Sequence, residues 1–198
     1  MLYASYAVAQ REPTRSDFVD AVGIDIPKSE LLHDIEVGYR AQIKQLSFES
    51  NFYFMNYTNQ LVVTGAVNNV GSPVRSNVDK SYRAGIELSG MYKINELIHT
   101  RANLTLSRNK IDQFNQVISP NVIQFSDSDI AFSPNIVAGS QLDYNIAKGL
   151  TVSWLSKYVG KQYLDNTSSD NKSIDPYWVN DLLLHYNIKT NYTNKISA

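Results

Sequence analysis

The sequence predicts an all-β chain: an antiparallel, up-and-down transmembrane β-barrel segment. Three observations carry the prediction. Apolar residues alternate with period two in segments of about ten residues along almost the whole chain. The links between these segments alternate between tight and long. Aromatic residues gather toward both ends of the segments, on their apolar side.

Taken in order, residues 2–10 place Leu2, Ala4, Tyr6 and Val8 on the preferred apolar face, although the alternate face is nearly as apolar. Residues 32–41 set Ile35, Val37, Tyr39 and Ala41 against Asp34, Glu36, Gly38 and Arg40. Residues 46–57 set Leu46, Phe48, Phe52 and Phe54 against Ser47, Glu49, Asn51, Tyr53 and Tyr57. Residues 82–92 offer Tyr82, Ala84, Ile86, Leu88 and Tyr92 opposite Arg83, Gly85, Glu87 and Ser89. Residues 100–109 are the cleanest, because Ala102, Leu104 and Leu106 oppose a wholly polar face. Residues 135–146 set Ile136, Ala138, Leu142 and Tyr144 against Asn135, Gln141 and Asp143. The last two segments, 150–160 and 177–188, carry Leu150, Val152, Trp154 and Tyr158, then Trp178, Leu182, Leu184 and Tyr186. Eight strands are expected.

Tight links fall near Ile43 to Gln45, Asn95 to Leu97 and Ala147 to Gly149, each suited to an antiparallel hairpin. Long polar links cover roughly residues 11–29, 59–79, 110–133 and 165–175. An outer-membrane barrel places every tight turn at one end and every long loop at the other, whereas a soluble sandwich has no general reason to do so. Tyr39, Phe48, Tyr92, Tyr144 and Tyr186 then lie near the tight-turn end, and Tyr82, Tyr158 and Trp178 near the other. Two such belts suit amphipathic rings at two membrane boundaries. The bland reading is an ordinary sandwich core, but a core does not demand rings at the strand ends with smaller aliphatics between. The opposite face carries Glu36, Arg40, Glu49, Arg83, Glu87, Arg101 and Asp143, which suit a water-filled lumen and fit a solvated sheet face equally well.

Composition narrows the function classes. The chain has 198 residues, 43% hydrophobic, 11% aromatic and 19% charged, which argues against disorder. A net charge of -1 without a Lys/Arg tract offers no footprint for a phosphate backbone, so nucleic acid is not an expected partner. No apolar run reaches the roughly 18 residues of a spanning helix. The absence of cysteine removes disulfides, zinc ribbons and thiol catalysis. No nucleophile elbow or nucleotide-binding glycine loop occurs, so no enzymatic activity and no cofactor is expected. His33, His99 and His185 lack partners at metal-ligand spacing and are expected as strand residues. Asp165, Asp170 and Asp175 hint at calcium, but the EF-hand spacing is absent and a solvated loop is expected. The sequons at Asn56, Asn103 and Asn166 are read as chance matches.

Eight stretches in collinear order carry a family resemblance. They are SYAVAQREPTRSDF (5–18), SELLHDIEVGYR (29–40), NFYFMNYTNQLVVTGAVNNVGSPVRSNV (51–78), SYRAGIELSG (81–90), LTLSRNKI (104–111), DIAFSPNIVAG (129–139), SKYVGKQYLDNTS (156–168) and DPYWVNDLLLHYNI (175–188). Together they resemble the C-terminal half of the barrel in TonB-dependent outer-membrane receptors, particularly those of Bacteroides-type bacteria. The resemblance implies a bacterial outer-membrane location, a lipid-facing wall, and energy-coupled uptake of a large scarce nutrient such as a ferric siderophore, haem or cobalamin. It also implies a TonB complex acting through a plug. Receptors of this family resemble 22-stranded barrels, so eight strands are expected to form about a third of the wall. Residues 1–198 are thus expected as a partial receptor barrel without export signal, TonB box or plug, and with NYTNKISA in place of the family's terminal aromatic.

If the family role holds, the long loops carry contacts to the transported small-molecule ligand. The candidates are Arg11, Arg15 and Asp17 in the first loop, Asn68, Asn69 and Arg75 in the second, and Asp127 and Asp129 in the third. Loop-to-loop hydrogen bonding or solvation is the alternative role for each. Two rival readings of the whole chain are a small closed eight-stranded outer-membrane barrel with a structural or adhesive role, and a soluble ligand-binding β-domain.

Overall fold

The computed structural model describes residues 1–21, 26–118, 121–188 and 196–197. Most of the terminal NYTNKISA, and part of the first long link, lie outside the described residues. The strands are β1 (Leu2–Arg11), β2 (Glu30–Ile43), β3 (Leu46–Val67), β4 (Pro73–Lys93), β5 (Ile98–Ile118), β6 (Asn121–Asp129), β7 (Ile136–Ala147), β8 (Leu150–Val159), β9 (Gln162–Tyr163), β10 (Ser173–Ile174), β11 (Tyr177–Ile188) and β12 (Ile196–Ser197). One short helix, α1 (Arg15–Val19), interrupts the first long link.

Eight of these strands form the wall, in the order β1-β2-β3-β4-β5-β7-β8-β11, and every pairing is antiparallel. The expected eight-stranded meander is therefore present. β12 pairs only with the end of β11, β6 pairs with β5, and β9 pairs with β10 in a separate hairpin. Among the described residues β1 is not paired to β11, and apart from the short β12 contact at Asn187 and Ile188 the sheet is open along both edges.

Register decides which residues share a face. Val37, Phe52, Ile86, Leu106 and Ile136 stand in one cross-strand row, and they are 37–51% exposed. A sandwich core would have sealed them, so this apolar face meets the surroundings and not a second layer. Leu2, Ala4, Tyr6 and Val8 join it, because they pair with Tyr39, Val37, Ile35 and His33. The tight turns lie at Lys44 and Gln45, Ile94 to Leu97, and Lys148 and Gly149, all at one end of the sheet. Gly149 adopts φ +84, and a Cβ there would stand 3.0 Å from the Asn187 carbonyl oxygen, so the last of these turns needs glycine.

The wall differs from the expectation at its opposite end. β3, β4 and β5 run for 22, 21 and 21 residues, about twice the 9–11 that cross a bilayer. Much of the polar links expected at 59–79 and 110–133 is thus strand, forming two hairpins, β3–β4 and β5–β6, that stand above the apolar belt. The period-two signal fails there because the ladder is irregular. Asn59 and Gly65 have positive φ, and register slips between Val63 and Val67. Above Ser81 and Ile111 the β4–β5 pairing ends, and Val62, Val78, Ile111, Phe114 and Ile130 pack together between the two hairpins with Phe125 against them. Ile111 and Phe114 are 0% and 1% exposed, so the one sealed apolar cluster among the described residues lies above the belt and not within it.

Candidate functional site

The long links fold onto these hairpins as a tied rim. Arg11 ends β1 and reaches Glu30 at the start of β2, with Nε 3.0 Å and Nη2 3.1 Å from the carboxylate. Glu30 also accepts the Leu61 N–H at 3.1 Å, which couples the first link to β3. Thr14 gives both its N–H and its hydroxyl to Asp17 Oδ2, each at 2.7 Å, and starts α1. Burial pushes the Asp17 carboxyl up, but the Thr14 hydrogen bonds and the charges of Arg75 and Arg11 bring it below the usual carboxylate range. Arg75 Nε stands 3.8 Å from Asp17 Oδ1. Asn68 donates to Asp20 at 2.9 Å and accepts the N–H groups of Val70 and Ser72, closing the β3–β4 turn.

A second tie comes from the connection between β8 and β11. Asn166 is fully buried; its Oδ1 accepts the Ala131 N–H at 2.7 Å and its Nδ2 donates to the Val63 carbonyl at 2.6 Å. That last bond joins residues 103 positions apart and lands on β3, four places along the wall from β8. Asp165, 3% exposed, accepts from Thr167 N–H at 3.0 Å, Thr167 Oγ1 at 2.6 Å and Lys172 Nζ at 2.8 Å. Burial pushes its carboxyl up, and the bonds from Lys172 and Thr167 outweigh that and leave it below the ordinary value. Ser168 donates to Asp129 Oδ2 at 3.0 Å and accepts the Asp129 N–H at 2.7 Å. This buried clasp corrects the expectation of a solvated loop at Asp165. Asp170 pairs instead with Lys161 and Asp175 is exposed, so the three aspartates do not converge.

The polar residues of the wall line the concave face in cross-strand pairs. Arg40 bonds Glu49 at 2.7 Å, with the Tyr3 ring 5.2 Å from the guanidinium and the Tyr3 hydroxyl 3.4 Å from Glu49. Arg101 meets Asp143 at 3.2 Å, and Asp143 also accepts from Gln141 at 2.7 Å and Ser153 at 2.5 Å. Arg83 donates to Ser133 at 2.9 Å beneath the link between β6 and β7. Two hollows open on this face. One of about 580 Å³ is lined by Glu49, Ser89, Arg101, Asn103 and Lys157, and one of about 370 Å³ by Glu36, Tyr53, Met55, Arg83 and Glu87. The face is not uniformly polar, since Leu155, Val179 and Leu183 alternate onto it from β8 and β11.

Of the eight loop residues singled out in the sequence, six are engaged within the rim. Arg11 holds Glu30, Asp17 holds Arg75, and Asn68 holds Asp20. Asp127 meets Arg108 at 3.2 Å and Lys110 at 3.8 Å, while Asp129 meets Lys110 at 3.1 Å. Arg15 and Asn69 are exposed, with no side-chain bond or ion pair among the described residues. The histidines lie on strands, and no group of three metal-ligating side chains occurs among the described residues. Asn77 is not singled out in the sequence, and Asn166 stands there only as a chance sequon. Asn77, half-buried on β4, bridges Lys28 and Asn59 as the buried loop residue Asn166 bridges Val63 and Ala131, and an asparagine that bonds backbone groups has no polarity pattern to betray it.

An open antiparallel wall, apolar on its convex side and charge-paired on its concave side, with tight turns at one end and tall hairpins at the other, defines an outer-membrane β-barrel. The chain belongs to the family described as TonB dependent receptor-like, beta-barrel, whose sequence model matches residues 1–198. Its place is the bacterial outer membrane, and the tied rim is the extracellular end. Comparison with curated proteins finds no match. Among solved structures it is similar to the copper transporter OprC, at 19% identity and a TM-score of 0.69 over 93% of this chain and 29% of that one. It is similar also to the ferric yersiniabactin uptake receptor FyuA from Yersinia pestis, at 17% identity and a TM-score of 0.67 over 93% of this chain and 27% of that one. The ferric-catecholate import receptor Fiu from K12 E. coli gives 19% identity and a TM-score of 0.67 over 96% of this chain and 27% of that one. The chain spans less than a third of the length of each, and at these identities the likeness speaks for the fold.

Proposed function

We propose that residues 1–198 serve as part of the wall of a receptor that takes up a large, scarce nutrient across the outer membrane by energy coupling. The cargo class is that of a ferric siderophore, haem or cobalamin. The observation that carries this reading is the family match along the whole chain, together with a wall whose row-by-row register separates a lipid face from a lumen face. The role is transport and not catalysis. Coupling to a TonB complex runs through a plug elsewhere in the receptor, and the charge pairs Arg40–Glu49 and Arg101–Asp143 give the concave wall a polar surface for it to slide against. Arg15 and Asn69 are the rim residues we assign to ligand contact, because the six other candidates already spend their polar groups inside the rim.

The test is growth of a strain lacking the gene on defined iron, haem and cobalamin sources. Loss of growth on one source, restored by the gene on a plasmid, is the expected result. Undiminished growth and undiminished cargo uptake on every source would remove the transport reading. The rival of a small closed barrel is not favoured, because β1 and β11 do not pair.

A further inference from the structure

We propose that Ser140, Ser156 and Asn180 form a hydrogen-bonding seat on the convex face for the acyl carbonyl groups of an outer-leaflet lipid. The three are direct cross-strand neighbours on β7, β8 and β11, in the pairs Ser140↔Ser156 and Ser156↔Asn180. The row above them toward the rim is Ala138, Tyr158 and Trp178; the row below is Leu142, Trp154 and Leu182. A polar row is thus framed by aromatic and aliphatic rows on a face that looks onto lipid.

The two indoles turn their N–H groups into this row. Trp154 Nε1 donates to Asn180 Oδ1 at 3.3 Å, and Trp178 Nε1 donates to Ser156 Oγ. These bonds consume acceptors. What the row still presents is the Asn180 amide N–H pair and the Ser140 and Ser156 hydroxyls, none of which has an acceptor among the described residues. A surface offering donors fits a ligand offering acceptors, and no charged side chain intrudes in the three rows.

Depth selects the acceptor. The row lies two residues below Tyr158 and Trp178, which is about 7 Å along a strand and about 5 Å of depth at ordinary barrel tilt. Aromatic girdles mark the headgroup level, so the row meets the zone where lipid headgroups give way to acyl chains, and there the lipid carries its ester and amide carbonyls. A neighbouring membrane protein offers few acceptors, since its backbone groups are satisfied internally. Elsewhere on the wall the equivalent step differs: Ile35, Phe54 and Ala84, one row below His33, Asn56 and Tyr82, carry no side-chain donor, and the next residue of that row, Arg108, pairs with Asp127. The seat rests on the wall's place in the outer membrane and not on the identity of the cargo.

The test uses the protein expressed from its own gene, extracted from outer membranes in mild detergent and weighed with its retained lipids by native mass spectrometry. Substituting S140A, S156A and N180L together should cut retained acyl lipid at least threefold, whereas N180Q, which keeps the donors, should retain it. Should the triple variant fail to assemble, the parent protein still decides. Reconstituted in ester-linked and then in ether-linked phosphatidylethanolamine, it should hold the first and release the second, which lacks acyl carbonyls. Equal retention of both lipids, or loss of a co-extracted protein in place of lipid, would overturn the assignment.

Discussion

At the scale of single residues, the extracellular rim depends on a few buried polar groups that have no solvent alternative. Asn166 satisfies the Ala131 N–H and the Val63 carbonyl together, and Asn166→Ala leaves both without a partner. Stranded buried groups cost about 1–3 kcal/mol, so the variant should show thermal unfolding of the rim at lower temperature while the wall remains inserted. Unchanged protease resistance of the β8–β11 connection would contradict this. Asp165 makes the clasp pH-dependent with a definite sign. Its folded pKa lies below the ordinary 3.8, so the carboxylate form is the one the fold favours. That stabilisation is complete above the ordinary value and is lost as pH falls through the lowered one. Protection of the Thr167 amide from hydrogen exchange, corrected for intrinsic rate, should therefore hold at neutral pH and collapse in acid below 3.8, and Asp165→Asn should abolish the dependence. Sequence reasoning reached these residues only in part. Asp165 was visible as one of three spaced aspartates, but nothing in the spacing distinguishes a carboxylate that caps its own loop from one that awaits a cation.

Among elements, the wall strands were legible and their upper extensions were not. A strand with lipid on one side and lumen on the other must alternate, and that requirement wrote the pattern at Phe52, Phe54 and Ile86. Above the belt the requirement lapses. Asn59 and Gly65 break the alternation, and the hairpins hold instead by backbone ladders and by the Ile111–Phe114 cluster, which no window of ten residues contains. The same logic yields two expectations. Phe52→Arg places a cation against hydrocarbon near mid-belt and should cost about 2–4 kcal/mol, read as a lower denaturant midpoint in lipid vesicles. A midpoint equal to that of the parent would count against a lipid-facing Phe52. Gly85 lies under the Tyr53 hydroxyl, and a Cβ there would stand 2.6 Å from both that oxygen and the Leu106 carbonyl oxygen. Because one neighbour is backbone, Gly85→Ala cannot be relieved by a side-chain swing, and about 1–3 kcal/mol of destabilisation is expected. Gly38 differs: the atoms nearest its Cβ all belong to the Tyr3 side chain, so Gly38→Ala should be rescued by Tyr3→Ala.

For the whole molecule, openness along β1 and β11 sets the physical behaviour of these residues by themselves. Among the described residues both edges display unpaired main-chain groups, and such edges recruit other strands. Produced alone in detergent, the 198 residues should elute as oligomers that a longer barrel does not form; a monodisperse, heat-modifiable monomer would show instead that the arc can close on itself. The family reading rests on the match over the full chain, and OprC and FyuA, which share its fold, are each more than three times its length. A last consequence follows from the change of partner along β5, which pairs with β7 up to Leu106 and with β6 from Lys110 onward. The β5–β6 ladder from Lys110 to Ile118 is thereby uncoupled from the register of the wall. Insertions or deletions in the upper part of that hairpin can therefore be absorbed while the lipid-embedded staves beneath it need not shift by a single residue.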